Sequence, residues 1–160
     1  MSPFEKLLAD LVKADVRYVT VNGIACAFVG HVRATQDVDI LVSPEPDNIR
    51  RLLKALESFG QGHARELDVK DFTVEPGAIR IVEDFPLDVF TIMAEKTYKD
   101  LEKHVRWWER GDVRIPYLDT VGLIILKSGS PRPRDQRDVA VLQEILAARS
   151  NEDTDLNSKP

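Results

Sequence analysis

The order of segments in this 160-residue chain predicts an α/β (α+β) domain, a mixed β-sheet covered by helices with further helices at the C-terminal end. Three observations carry that expectation. Helix-period and strand-like segments alternate as far as residue 56, strand-like runs gather between residues 69 and 116, and helical spacing returns from residue 118. With 43% hydrophobic residues, the stretch 1–149 is long enough for a single domain with one sizeable core.

The first helix is announced by its cap. Ser2 precedes Pro3 at the first turn, Glu5 closes a capping box, and Phe4, Leu7, Leu8, Leu11 and Val12 form one apolar stripe. A short strand at 17–21 ends at Asn22-Gly23, and the small apolar run 24–30 suits a buried helix lying close on a sheet. A strand over 35–42 follows. Pro44-Glu45-Pro46-Asp47 then turns the chain into a helix with Ile49, Leu52, Leu53 and Leu56 on its apolar face. Strands at 69–74 and 78–82 flank Glu75-Pro76-Gly77 as an expected hairpin, and a third strand spans 87–91. Residues 105–108 and 113–116 read as a ribbon around Arg110-Gly111-Asp112. Helices at 118–127 and 134–148 close the domain, separated by a proline-interrupted segment that no regular element accommodates. The acidic stretch 150–160 is nearly devoid of apolar residues and is expected to be disordered.

Composition narrows the function classes. A net charge of −5 argues against a dedicated nucleic-acid binder, which is usually basic. No apolar stretch approaches a membrane span, the N-terminus is read as a helix start rather than a signal peptide, and Cys26 is the lone cysteine, in an apolar run. The expectation is a cytoplasmic protein with no membrane association.

The strand at 35–42 carries the chemistry. Side chains alternate along a strand, so Asp37 and Asp39 point one way while Val38, Ile40 and Val42 point the other. Like charges held that close are unfavourable unless a cation lies between them, and Mg²⁺ is the ordinary hard cation for such oxygens. A bare D-x-D also suits a solvated strand end. Asp88 adds a third carboxylate within the apolar run Leu87-Asp88-Val89-Phe90, where a charge is costly unless it faces a site or solvent. Three carboxylates from neighbouring strands suit a pair of divalent cations gripping an attacking hydroxyl, an α-phosphate and a leaving pyrophosphate.

Supporting positions are read less sharply. Asn22-Gly23 at a strand-to-helix turn lets backbone N–H groups approach a phosphate, and is also a common turn. Arg33, just before Thr35 with His31 nearby, either neutralises phosphate or pairs with the aspartates. Lys127 either favours the negative end of its helix or reaches a triphosphate as a point charge. Arg132, Arg134 and Arg137 form a basic cluster that reads first as a solvated face, while Asp135 and Asp138 brace the last helix. Trp107-Trp108 reads as core packing with a lid, or as a base-stacking platform.

Gly23-Ile24-Ala25, followed by Gly30-His31-Val32-Arg33-Ala34-Thr35-Gln36-Asp37-Val38-Asp39-Ile40-Leu41-Val42, resembles the signature of the polymerase-beta-like nucleotidyltransferase superfamily. The similarity is to its small bacterial branch, which holds abortive-infection toxin and lincosamide-type antibiotic nucleotidyltransferases. Leu126-Lys127 and Arg132-Pro133-Arg134-Asp135-Gln136-Arg137-Asp138-Val139-Ala140-Val141-Leu142 resemble the C-terminal helices of that branch. The resemblance runs from about residue 19 to 142. It implies a nucleotidyltransferase fold and transfer of a nucleoside monophosphate from an NTP such as ATP to a hydroxyl, with two Mg²⁺ ions and release of pyrophosphate. Under it, Asp37, Asp39 and Asp88 hold metal and do catalysis, and Asn22, Gly23, Arg33, Thr35 and Lys127 serve the nucleotide. The chain departs from the family at one point, where Asn22 replaces the first glycine of the turn; asparagine tolerates the left-handed conformation and can donate a hydrogen bond.

Two other classes compete. A glycosyltransferase also uses a D-x-D metal motif but normally needs a larger sheet and an acceptor domain. A nucleotidyltransferase-fold partner without activity, such as an antitoxin or regulatory subunit, fits the short length and altered turn, while three intact carboxylates oppose it. The acceptor hydroxyl of an enzyme is left open among an RNA end, a protein and a small molecule.

Overall fold

The structure, a computed structural model, describes the backbone of residues 1–157 and the side chains of residues 1–151. In α1 (Pro3–Lys13), Ser2 Oγ accepts a hydrogen bond from the Glu5 N–H at 3.1 Å, and Pro3 occupies the turn where its missing N–H leaves nothing unpaired. β1 (Tyr18–Val21) passes directly into α2 (Asn22–Phe28), which begins at Asn22 rather than Ile24. β2 (Val38–Val42) is shorter than the expected strand; Thr35, Gln36 and Asp37 lie in the loop that enters it. α3 (Pro46–Leu56) follows as its apolar spacing predicts.

The middle of the chain corrects one expectation. Residues 69–74 form no strand. Asp68 accepts from the Val69 N–H at 2.7 Å and Asp71 accepts from the Asp68 N–H at 2.8 Å, so side chains satisfy the backbone locally and Val69–Asp71 is a 3₁₀ turn. The hairpin is instead β3 (Ile79–Val82) with β4 (Pro86–Phe90), turning through residues 83–85. A short helix, α4 (Tyr98–Leu101), capped by Thr97, was not foreseen. β5 (Val105–Arg110) and β6 (Val113–Leu118) make the expected ribbon, and α5 (Thr120–Lys127) starts where Asp119 accepts from the Gly122 N–H. α6 (Pro133–Asn157) runs on through most of the stretch expected to be disordered. Extending a formed helix adds one hydrogen bond per residue with no new nucleation step. Residues 158–160 of that stretch lie outside the described residues.

One mixed sheet of six strands results, in the order β3-β4-β2-β1-β6-β5. β2 is antiparallel to β1 and parallel to β4, β1 is parallel to β6, and the two hairpins form the edges. Alternation along the central strands feeds two cores. Tyr18, Val38, Ile40, Val42, Leu87 and Val89 pack with Leu7, Leu8 and Leu11 of α1 and Ile49, Leu52 and Leu56 of α3. Val19, Val21, Leu41 and Leu118 pack with Ala25 and Cys26 of α2, Leu101 of α4, Leu123 and Leu126 of α5 and Leu142 of α6. Helices therefore cover both faces, and each fully buried leucine contributes about 1.5–3 kcal/mol of transfer free energy. Asp39, between Val38 and Ile40, and Asp88, between Leu87 and Val89, point to the α2–α5–α6 side by the same alternation. Among the described residues no helix is long and apolar enough to cross a membrane.

Candidate metal centre

β1 and β2 place the first residues of the centre. Val21 pairs with Asp39 in antiparallel register, so the next residue, Asn22, lies beside that carboxylate. Asn22 takes φ +60°, the left-handed conformation that lets the chain turn from strand to helix without a loop. From there its Nδ2 donates to Asp39 Oδ2 at 2.6 Å. β2 and β4 place the rest. Asp39 and Asp88 are register partners in the parallel pair, and Asp37 precedes β2 by one residue. One carboxylate oxygen from each of Asp37, Asp39 and Asp88 lies within 4.8 Å of the other two.

The electrostatics of this cluster are strained. Burial pushes the Asp39 carboxyl up to about 7; the Asn22 hydrogen bond pulls it down, and the neighbouring charges of Asp37 and Asp88 add to the rise. Asp39 Oδ1 is buried and has no hydrogen-bond partner among the described residues. Asp88, itself buried, is gripped by Arg80, a residue that no local sequence signal marks. Arg80 Nε donates to Asp88 Oδ1 at 2.8 Å, its Nη2 to Asp88 Oδ2 at 2.9 Å, and the same Nη2 to Asp37 Oδ2 at 3.1 Å. Arg80 sits opposite Asp88 in the β3–β4 register. It takes the polar place in the alternation Ile79-Arg80-Ile81, an ordinary edge-strand pattern that acquires meaning only once the hairpin partner is known.

The other anticipated residues fall into a second, deeper network. Arg33 pairs with Asp138 of α6, through Nε to Oδ1 and Nη2 to Oδ2, both at 3.0 Å, and not with Asp37 or Asp39. His31 Nε2 shares Asp138 Oδ1 at 2.8 Å. Lys127 is buried, with Nζ 3.0 Å from both Asp135 and Asp138, and Ser130 Oγ donates to Asp135. Burial alone would raise the Asp138 carboxyl, but the bonds from His31, Lys127 and Arg33 outweigh it and hold it below its ordinary value; Ser130 and Lys127 do the same for Asp135. This network bolts the loop that delivers Asp37 and Asp39 onto α5 and α6. Gly23 has a packing role within it: a Cβ there would lie 2.3 Å from Thr35 Oγ1.

A cleft of about 660 Å³ opens over the three aspartates. Asn22, Gly23, Arg33, Thr35 and Lys127 all line it, as do Arg80 and the exposed Arg132 and Arg134. Arg137 does not, and neither tryptophan does. Trp108 stacks on Phe28 with ring centroids 5.1 Å apart, and Trp107 is covered by the Arg114 guanidinium at 4.4 Å.

The donor set suits a hard divalent cation, since it consists of carboxylate oxygens and includes one buried, unpartnered oxygen in a cluster with excess negative charge. No protein-family model and no curated protein matches this chain.

Proposed function

We propose that this protein has the polymerase-beta-like nucleotidyltransferase fold and moves a nucleoside monophosphate from an NTP to a hydroxyl acceptor, releasing pyrophosphate. The observation that carries this reading is the convergence of Asp37, Asp39 and Asp88 within 4.8 Å on the floor of a cleft whose rim bears Arg132 and Arg134. Acid at the floor and base at the rim match a triphosphate that is neutralised at both ends.

Asp37, Asp39 and Asp88 would hold Mg²⁺, and the bound cation would supply Lewis-acid stabilisation of charge on the phosphoryl oxygens. The chain's own groups do the positioning. Asn22 holds Asp39 through its 2.6 Å bond to Oδ2, leaving Oδ1 buried and unpartnered among the described residues. Asp88, on the strand beside Asp39, would orient an acceptor hydroxyl and take its proton. Arg132 and Arg134, both exposed, take the phosphate tail as charged donors. Gly23, Thr35, Arg33 and Lys127 act behind this layer by holding the loop that carries Asp37 and leads into the strand of Asp39.

A second reading, a nucleotide-binding partner protein without transferase activity, is favoured by one specific feature, the Arg80 fork across Asp88 and Asp37. One assay separates the two. The protein is incubated with Mg²⁺ and each α-labelled NTP in the presence of RNA, protein and hydroxylated small-molecule pools. Transfer of label that disappears in Asp37→Asn and Asp39→Asn supports the enzyme. NTP binding without transfer to any pool supports the partner, and neither binding nor transfer removes both.

A further inference from the structure

We propose that Arg80 is an internal cation that holds the acidic centre closed, so that a divalent cation enters only by displacing it. The inference rests on the reading of Asp37, Asp39 and Asp88 as a metal site. The Arg80 fork occupies both oxygens of Asp88 and one of Asp37. On Asp39, Oδ2 is taken by Asn22, leaving Oδ1 unpartnered. Each carboxylate oxygen keeps a second lone pair beside the fork, so acceptor capacity is not what sets Arg80 and a metal ion against one another. A guanidinium and a divalent cation on the same oxygens are like charges a few ångströms apart and repel. The fork also neutralises the cluster incompletely, because a single positive charge faces three carboxylates.

Arg80 is built to leave. It lies on β3, the edge strand, and its side chain is 54% exposed. Among the described residues, the hydrogen bonds of its side chain all go to Asp88 and Asp37. The fork between Arg33 and Asp138 makes the contrast: there the side chains are 18% and 2% exposed, and Asp138 also holds His31 and Lys127. That pair is a fixed brace, whereas Arg80 can turn into solvent by side-chain rotation with the β3–β4 register intact. It lines the cleft together with Arg132 and Arg134, where a phosphate oxygen can accept the freed fork.

The test is Mn²⁺ binding to the nucleotide-free protein, followed by electron paramagnetic resonance at fixed ionic strength, with thermal melting to check the fold of each variant. Arg80→Gln is expected to bind Mn²⁺ about ten- to a hundredfold more tightly than the parent chain, the range of a charge-assisted fork removed from competition. Arg80→Lys, which keeps the charge and loses the fork, is expected to fall between them. Arg110→Gln, on the opposite edge strand, controls for net charge and is expected to leave binding unchanged. Equal or weaker binding by Arg80→Gln, with binding still lost in Asp39→Asn, overturns the latch and leaves the metal site standing. Absence of binding in every variant, or binding that survives Asp39→Asn, removes the metal site and the latch together.

Discussion

Asp39 on β2 and Asp88 on β4 are direct register partners in a parallel strand pair, so two carboxylates stand side by side at the centre of the sheet. Like charges placed opposite one another in a sheet destabilise it, and here Asp37 adds a third charge. An arrangement of this kind trades folding stability for a place where positive charge is wanted.

The first expectation follows from that trade. Asp39→Asn removes a half-buried charge while its amide oxygen can still accept from Asn22. In chelator at pH 8 the variant should be more stable than the parent chain by roughly 1 kcal/mol, which for a domain of this size raises Tm by about 2–4 °C. Differential scanning calorimetry reads this directly, and a lower Tm would show that the cluster is not strained.

The second concerns the brace. Asp138 accepts from His31, Arg33 and Lys127 while only 1% exposed, so Asp138→Asn should cost about 3–5 kcal/mol by leaving buried cations short of a partner. The sign with pH is fixed by the lowered carboxyl. Its stabilisation is complete above the ordinary carboxylate value of about 3.9 and is lost as pH falls through the lower folded value. Urea unfolding should therefore show a wide gap between variant and parent at pH 7 that narrows in strong acid. A gap independent of pH would mean that the ion pairs do not supply the stability.

The third isolates the turn. Gly23→Ala would push a Cβ to 2.3 Å from Thr35 Oγ1 and 2.8 Å from Cγ2, and a β-branched side chain has little freedom to yield. A loss of about 1–3 kcal/mol is expected. Adding Thr35→Ala removes both close atoms and should recover much of that loss, a non-additivity that a double-mutant cycle measures. Strict additivity would exclude the contact as the reason for glycine.

How far the sequence foretold this molecule depended on the range of the interaction. Local signals were legible: the Ser2 cap of α1, the apolar face of α3, the strand around Asp39, and the left-handed turn at Asn22. The strand expected at 69–74 failed because the Asp68 and Asp71 side chains compete with the sheet for the backbone, and β-propensity alone does not weigh that. That one error hid Arg80, whose role exists only through its register with Asp88. The partners of Arg33 and Lys127 were equally out of reach, since Arg33 meets Asp138 across 105 residues of chain. Residues 35 to 39 carry the acidic motif in plain view; the cations that balance it come from elsewhere in the fold.

The fourth expectation concerns the rim. Arg132 and Arg134 are exposed, so changing both to Ala should leave thermal stability nearly unchanged. It should weaken NTP binding about tenfold or more and flatten the dependence of that binding on salt. Fluorescence anisotropy with a labelled NTP across a salt series checks both. Unaltered affinity would place the triphosphate elsewhere in the cleft.

The most direct test of the account is calorimetric titration of a non-hydrolysable NTP into the protein with and without Mg²⁺, repeated in Asp37→Asn and Asp39→Asn. Binding is expected to depend on Mg²⁺ and to be lost in both variants, although Asp39→Asn folds at least as stably as the parent chain. NTP binding that persists without Mg²⁺ or in the two variants would contradict it, and so would the absence of any binding by the parent chain.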